Sequence, residues 1–141
     1  MARSSNTQFA VAVHVLTYLV GFIDDRVVSS EELAASANVN PVYIRRVLGP
    51  LRAAGLVRAR RGVHGGWDLN VDPDEITLDR VWLLLQGDEP VLGLHGPAPA
   101  CATGRRVQEG LVALDRTVAD SLAAALRCVT VADMAAGAVA S

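Results

Sequence analysis

The sequence predicts a mainly α-helical fold with one small β-hairpin (α+β). Its form is a winged helix-turn-helix carrying a long C-terminal dimerisation helix. Three observations carry that prediction. Two capped helical segments, residues 30–36 and 41–54, stand a short turn apart. An arginine-studded strand, a glycine-rich tip and a returning strand follow directly over residues 57–70. Val107, Leu111, Leu114, Val118, Leu122 and Leu126 then recur at helical spacing.

Asn6 is read as the cap of a first helix reaching about Phe22. Phe9, Val13, Leu16 and Val20 share one side, while Val11, Val15 and Leu19 fill the other. A helix apolar all round is buried all round, which in so short a chain points to an interface. Gly21 and the Asp24-Asp25 turn end it, and Val27-Val28 predict a short strand. Ser29 and Glu32 have capping-box spacing, and the helix they open turns Leu33 and Ala34 inward. Asn40-Pro41 places an N-cap before a proline at the first helical position.

In the second helix Ile44, Val47, Leu48 and Leu51 share a face, and Arg45 and Arg46 point away from it. Pro50 removes a helical hydrogen bond, so a kink or break is expected at Gly49-Pro50. Gly55 stops the helix, with Leu56 packing back beyond it. The hairpin is expected to pair residues 57–61 with 66–70 across Gly62-Val63-His64-Gly65, and Trp67 anchors it to the core. Pro73 ends the hairpin. Thr77 caps a helix to about Gln86 that turns Leu78, Val81, Trp82 and Leu85 inward. A Gly/Pro-rich loop precedes the long helix, which runs from about Thr103 to Arg127, and Thr130 caps a last short helix. The expected organisation is a winged helix-turn-helix over 1–87, a loop over 88–102, and the dimerisation and final helices over 103–141.

Charge is distributed unevenly. Between Glu32 and Asp68 there is no acid, yet Arg45, Arg46, Arg52, Arg58, Arg60 and Arg61 all fall there. The other seven arginines face all fifteen acids, and there is no lysine. A basic patch on an otherwise acidic chain is the footprint of a polyanion-binding surface.

The expected interface follows from the elements. A recognition helix enters the major groove by its first turn, which holds Asn40, Val42, Tyr43 and Arg46. Arg46 suits a bidentate grip on a guanine edge, while Arg45 and Arg52 suit phosphates. Backbone N–H groups at the helix starts near Ser30 and Tyr43 suit phosphate as well. Arg58 and Arg60 alternate onto one face of the wing strand and Arg61 onto the other. Arg61, His64 and Gly65 at the wing tip suit a narrow minor groove.

Other function classes find little support. No Ser/His/Asp set, phosphate loop or metal-ligand cluster marks an enzyme. A winged-helix adaptor that binds only protein is the alternative. No apolar run is long enough to span a membrane. Arg3 and the following apolar run imitate a secretory leader, but His14, Thr17 and Tyr18 interrupt it. A cytoplasmic protein is expected.

The segments SSEELAASANVNPVYIRRVLGPLRAAGLVRARRGVHGGWDL and DEITLDRVWLLLQGDEP resemble the Rrf-two family of bacterial transcription regulators. The resemblance extends to the closing TVADM. It implies a homodimer on a palindromic double-stranded DNA operator, with the long helix as the dimer seam (Val107, Leu111, Leu114, Val118, Leu122) and the first helix packed against the partner. Iron–sulfur members of the family carry three cysteines before the long helix. Here only Cys101 lies there, so the chain resembles the single-cysteine subgroup, and neither an iron–sulfur cluster nor another cofactor or metal is expected. Cys101 precedes a helix start with Arg105 and Arg106 one turn on, an electropositive setting of the kind reactive thiols occupy. It is the candidate redox sensor, with a small-molecule signal as the other possibility. About 27 residues of helix at 1.5 Å each would hold Cys128 roughly 35–40 Å away.

Overall fold

The computed structural model describes residues 5–139, so Arg3 lies outside the described residues. Along them run α1 (Ser5–Val20), α2 (Ser30–Ala37), α3 (Pro41–Ala53), β1 (Val57–Arg60), β2 (Gly66–Leu69), α4 (Leu78–Gln86), α5 (Ala102–Arg127) and α6 (Val131–Ala136). A 3-10 turn, Pro73–Glu75, joins the hairpin to α4.

α1 is the centre of the core. Val15 and Leu16 have no exposed surface, and Val11, Ala12, Val13 and Leu19 are buried with them. α2, α3, α4, α6 and β2 all pack on it, and Phe9 meets Trp82 edge-on at 5.3 Å. Most of its burial is thus supplied by its own chain. Ala10 and His14 remain exposed. The helix is already formed at Ser5, so Asn6 lies within it instead of capping it.

Beyond α1, Asp24 adopts a left-handed conformation with φ 60°, and Val28 makes a single bridge to Trp67 in place of a strand. Ser29 Oγ accepts the Glu32 amide at 3.1 Å, capping α2. The expected return bond from Glu32 is replaced. Its carboxylate accepts instead from Arg26 at 2.9 Å and from the Tyr18 hydroxyl at 2.7 Å. The stronger partner is the charged one. Arg26 also lies over the Phe22 ring, 4.3 Å from its centroid, so this network ties the end of α1 to the start of α2.

The hydrogen bonds from Arg26 and then Tyr18 hold the Glu32 carboxyl below its usual value. A carboxyl with a lowered folded-state pKa stabilises the fold above its unfolded value, about 4.3, and that stabilisation is lost as pH falls through the folded value. The denaturation midpoint of the wild type is therefore expected to hold steady from about pH 7 to 5 and to fall at lower pH. Glu32→Gln should show a shallower acid decline. Equal declines in the two chains would remove Glu32 from this role.

Asn38, left-handed at φ 55°, ends α2. Asn40 Oδ1 accepts the Tyr43 amide at 2.8 Å and Pro41 starts α3. Ile44, Val47, Leu48 and Leu51 are all buried, as their spacing predicts. The expected break at Pro50 does not occur, since α3 runs through it to Ala53. Arg46, the residue whose carbonyl loses a partner at Pro50, lies on the solvent side, where water can replace the bond. Buried Leu48 and Leu51 hold the helix on either side. Past Ala54, Gly55 takes φ 79°. Its amide bonds the Arg52 carbonyl at 2.9 Å and the Leu56 amide bonds that of Leu51 at 3.0 Å. This is a Schellman closure, and Leu51 and Leu56 are its buried apolar pair.

The hairpin differs from expectation in register. Val57 pairs with Leu69, Arg58 with Asp68, Ala59 with Trp67 and Arg60 with Gly66. The connection therefore spans residues 61–65 and Arg61 belongs to it. The Gly65 amide closes on the Gly62 carbonyl at 3.0 Å, which sets the longer loop. Val57, Ala59, Trp67 and Leu69 share one face, and Arg58, Arg60 and Asp68 the other.

Thr77 precedes α4 without a side-chain cap bond. It bridges instead to Thr130, flanked by Leu78 N–H to Val129 C=O and Val131 N–H to Ile76 C=O, both 2.9 Å. Thr130 also forms a full capping box with Asp133. Val131 is buried, so α6 joins the same core as the winged helix. α5 packs on α4 but buries none of its residues fully. Its expected seam divides. Leu111 and Leu122 are half-buried, whereas Val107, Leu114 and Val118 are exposed, Leu114 by 56%.

Candidate nucleic-acid interface

Two surfaces meet at the start of α2. The first is the solvent face of α3, where Val42, Arg45, Arg46, Gly49 and Arg52 are exposed. The second is a cleft between that start and the wing, lined by Ser30, Glu31, Arg60, Arg61, Gly62 and Gly65 among others. Arg45 joins the two surfaces through an ion pair to Glu31 at 3.2 Å. Both side chains are largely solvated, so the pair adds little stability and leaves Arg45 free to exchange partners.

Ser30 holds the wing in place. Its Oγ accepts the Trp67 indole N–H at 3.1 Å, and the Val28–Trp67 bridge fixes the same strand with bonds of 2.9 and 2.8 Å. Gly65 and Gly66 are required by space. A Cβ at Gly65 would collide with the Arg60 carbonyl, and one at Gly66 would lie 2.7 Å from the Val28 carbonyl oxygen. Beyond them His64 is exposed at the tip, and Val63 is 97% exposed. A tip apolar residue was not among the expected contacts, although its place between Gly62 and His64 was visible.

The arginines divide into two groups. Among the described residues, Arg46, Arg52 and Arg61 form no ion pair, while Arg45, Arg58 and Arg60 do. Arg58 and Arg60 both bond Asp68. Burial pushes the Asp68 carboxyl up, but the hydrogen bonds from Arg58 and Arg60 outweigh it and hold the group below its usual value. Asp68 therefore stays ionised. The one-residue change of register places this carboxylate opposite Arg58, an internal partner that the expected pairing does not provide. The expected place of Tyr43 is corrected. At 9% exposure it belongs to the core, since the third helical position turns towards Ile44 and Val47 rather than outward.

Cys101 caps α5 with its thiol, accepting the Gly104 amide at 3.3 Å, and is exposed. Arg105, one turn on, donates its guanidinium to the Pro99 carbonyl at 2.7 Å. Cys128 is exposed at the opposite end of the helix.

A helical core built on α1, a solvent-facing basic helix and a hairpin beside it define a winged helix-turn-helix DNA-binding protein. The family model for Rrf2, described as an iron-dependent transcriptional regulator, matches residues 5–137. The chain belongs to the Rrf2 family and is a DNA-binding transcriptional regulator. Among similar proteins, YwnA of Bacillus subtilis (strain 168), which carries the name of an HTH-type transcriptional regulator, is 38% identical over 107 residues, 75% of this chain and 77% of that one. A crystal structure from Lactobacillus plantarum superposes with a TM-score of 0.76 at 30% identity, covering 92% of this chain and 87% of that one. CymR, the global cysteine regulator of B. subtilis, gives 0.68 at 26%, covering 96% and 97%.

The donor set does not fit the iron–sulfur chemistry of cysteine-rich regulators. The chain has two cysteines, placed at opposite ends of a 26-residue helix. Among the described residues no group of three His, Cys, Asp or Glu is gathered to hold a metal. Nor is any helix among them long and apolar enough to cross a membrane.

Proposed function

We propose that two copies of this chain bind a palindromic operator in the cytoplasm and repress transcription, without an iron–sulfur cluster. The observation that carries the reading is the convergence of the α3 outer face and the wing cleft on one helix start. Arg46 on the α3 face and Arg61 in the cleft stand outside any ion pair among the described residues. The exposed apolar line Val107, Leu114 and Val118 on a helix with no fully buried residue supports pairing through α5. Two recognition helices related by a two-fold axis match a two-fold operator. A dimer lying across promoter DNA obstructs polymerase, which makes repression the expected sign. The exposed thiol of Cys101 supports a thiol-responsive form of the same reading.

Footprinting on the chain's own upstream region, repeated over a salt series, tests this. Affinity should fall with salt at a slope of about −0.9 per phosphate contacted. Arg46→Ala should relax discrimination at one base position by about 1–3 kcal/mol, while leaving the other positions selective. A flat salt response would overturn the reading in favour of a protein-binding adaptor.

A further inference from the structure

Asp68 is the sole acid between Glu32 and Asp72, and it stands against two of the six arginines in the basic stretch. Arg58 grips it with two nitrogens, Nε to Oδ1 at 3.2 Å and Nη2 to Oδ2 at 3.1 Å. Arg60 reaches it by Nε alone, at 3.1 Å. The Nη groups of Arg60 bond no other group among the described residues, and its side chain is half exposed. Arg60 also lies on a crest between two hollows. One is the cleft it shares with Ser30 and Arg61. The other, towards the α1–α2 turn, holds Arg26, Arg58 and Arg60 against Asp24, Asp25 and Asp68. On that side three arginines meet three carboxylates, whereas on the cleft side Arg60 and Arg61 meet only Glu31, which Arg45 already pairs. Asp68 is only 22% exposed, so its place is fixed by the sheet.

We propose that Asp68 is a positioning and specificity residue of the DNA interface. It withholds the charge of Arg58 and Arg60 from random phosphates and aims the outer nitrogens of Arg60 at the cleft beside α2. This rests on the DNA-binding reading above. Specificity is a difference between two affinities, and the non-specific one grows with every phosphate an arginine neutralises. A phosphate seated in the cleft meets Arg60 Nη while Nε stays on Asp68. Arg58, held by Nε and Nη2 together, offers only its Nη1, and a random phosphate gains the rest of Arg58, or the whole of Arg60, only by drawing it off the carboxylate. The internal carboxylate therefore lowers non-specific binding more than specific binding.

The test compares wild type, Asp68→Asn and Asp68→Glu on two duplexes of equal length, the footprinted upstream segment and a random sequence. Thermal unfolding of each chain is recorded alongside. For Asp68→Asn, affinity for the random duplex should rise about five- to tenfold near 0.1 M salt, with a slope steeper by about 0.9 for each arginine freed onto a phosphate. Affinity for the operator should rise less, so the specificity ratio falls. Asp68→Glu should restore most of the ratio. In an Arg58→Ala/Arg60→Ala background, Asp68→Asn should change nothing. Equal gains on both duplexes, or an unchanged slope, overturn the proposal. So does loss of both affinities together with a lower melting temperature, which makes Asp68 a structural residue only. A wild type that binds neither duplex overturns the DNA-binding reading itself, whereas a salt-sensitive wild type matched by an indifferent Asp68→Asn sinks this inference alone.

Discussion

Gly66→Ala should weaken DNA binding at least tenfold while leaving the helices intact. The residue has no unusual backbone angle to lose, and its constraint is space. A methyl group there would stand 2.7 Å from the Val28 carbonyl oxygen and 2.9 Å from its carbon. Both are backbone atoms, and they belong to the bridge that fastens β2 to the segment before α2. Overpacking of this kind costs about 1–3 kcal/mol, and a tenfold change in affinity corresponds to about 1.4 kcal/mol. The wing would swing away from Ser30, and the cleft would open. Hydrogen exchange at the Val28 and Trp67 amides should lose protection first, with helical circular dichroism unchanged. Wild-type protection at those amides, with wild-type affinity, would show that the wing does not depend on this close approach.

Leu51→Ala should have the largest effect on stability, about 2–5 kcal/mol for a fully buried leucine. Domains of this size are stable by about 5–15 kcal/mol, so the loss is a large share. Leu51 is wholly buried, and it is one half of the apolar pair that closes α3 onto Leu56. Its removal loosens both the recognition helix and the first residue before β1. The denaturant midpoint should fall with an unchanged slope, because the surface exposed on unfolding is nearly the same. A shift under 1 kcal/mol would mean that neighbouring side chains close the cavity.

Local signals made most of the architecture legible in the sequence. Asn40-Pro41, Gly55-Leu56 and the glycines of the wing act within a few residues of themselves, and each appears in the structure where its chemistry puts it. Legibility failed where the outcome depends on distant groups. Glu32 had capping-box spacing, but Arg26 and Tyr18 competed for its carboxylate. Pro50 had the look of a breaker, but leucines on both sides held the helix. The wing register was off by one because a four-residue and a five-residue loop both fit the glycines. A one-residue slip exchanges cross-strand partners, which hid the pairing of Arg58 with Asp68. Tyr43 was misplaced because a first-turn residue can face either the groove or the core. The Thr77–Thr130 bridge joins residues 53 positions apart in sequence, and no local pattern announces it.

That bridge has a mechanical consequence. The C-terminal end of α5 is stitched to the start of α4 by two flanking backbone hydrogen bonds, while its first turns project with little cover. The helix is also held along its side, by α4 and by the Leu92 amide on Asp115 at 2.7 Å. It is thus a beam clamped over part of its length. At 1.5 Å per residue the roughly 13 residues ahead of Asp115 make an arm of about 20 Å, and a tilt of about 5° at its root carries the tip through roughly 2 Å. Cys101 sits at that tip. A small angle at the clamp is a larger displacement at the thiol, and a push on the tip acts on the clamp with the leverage of that arm.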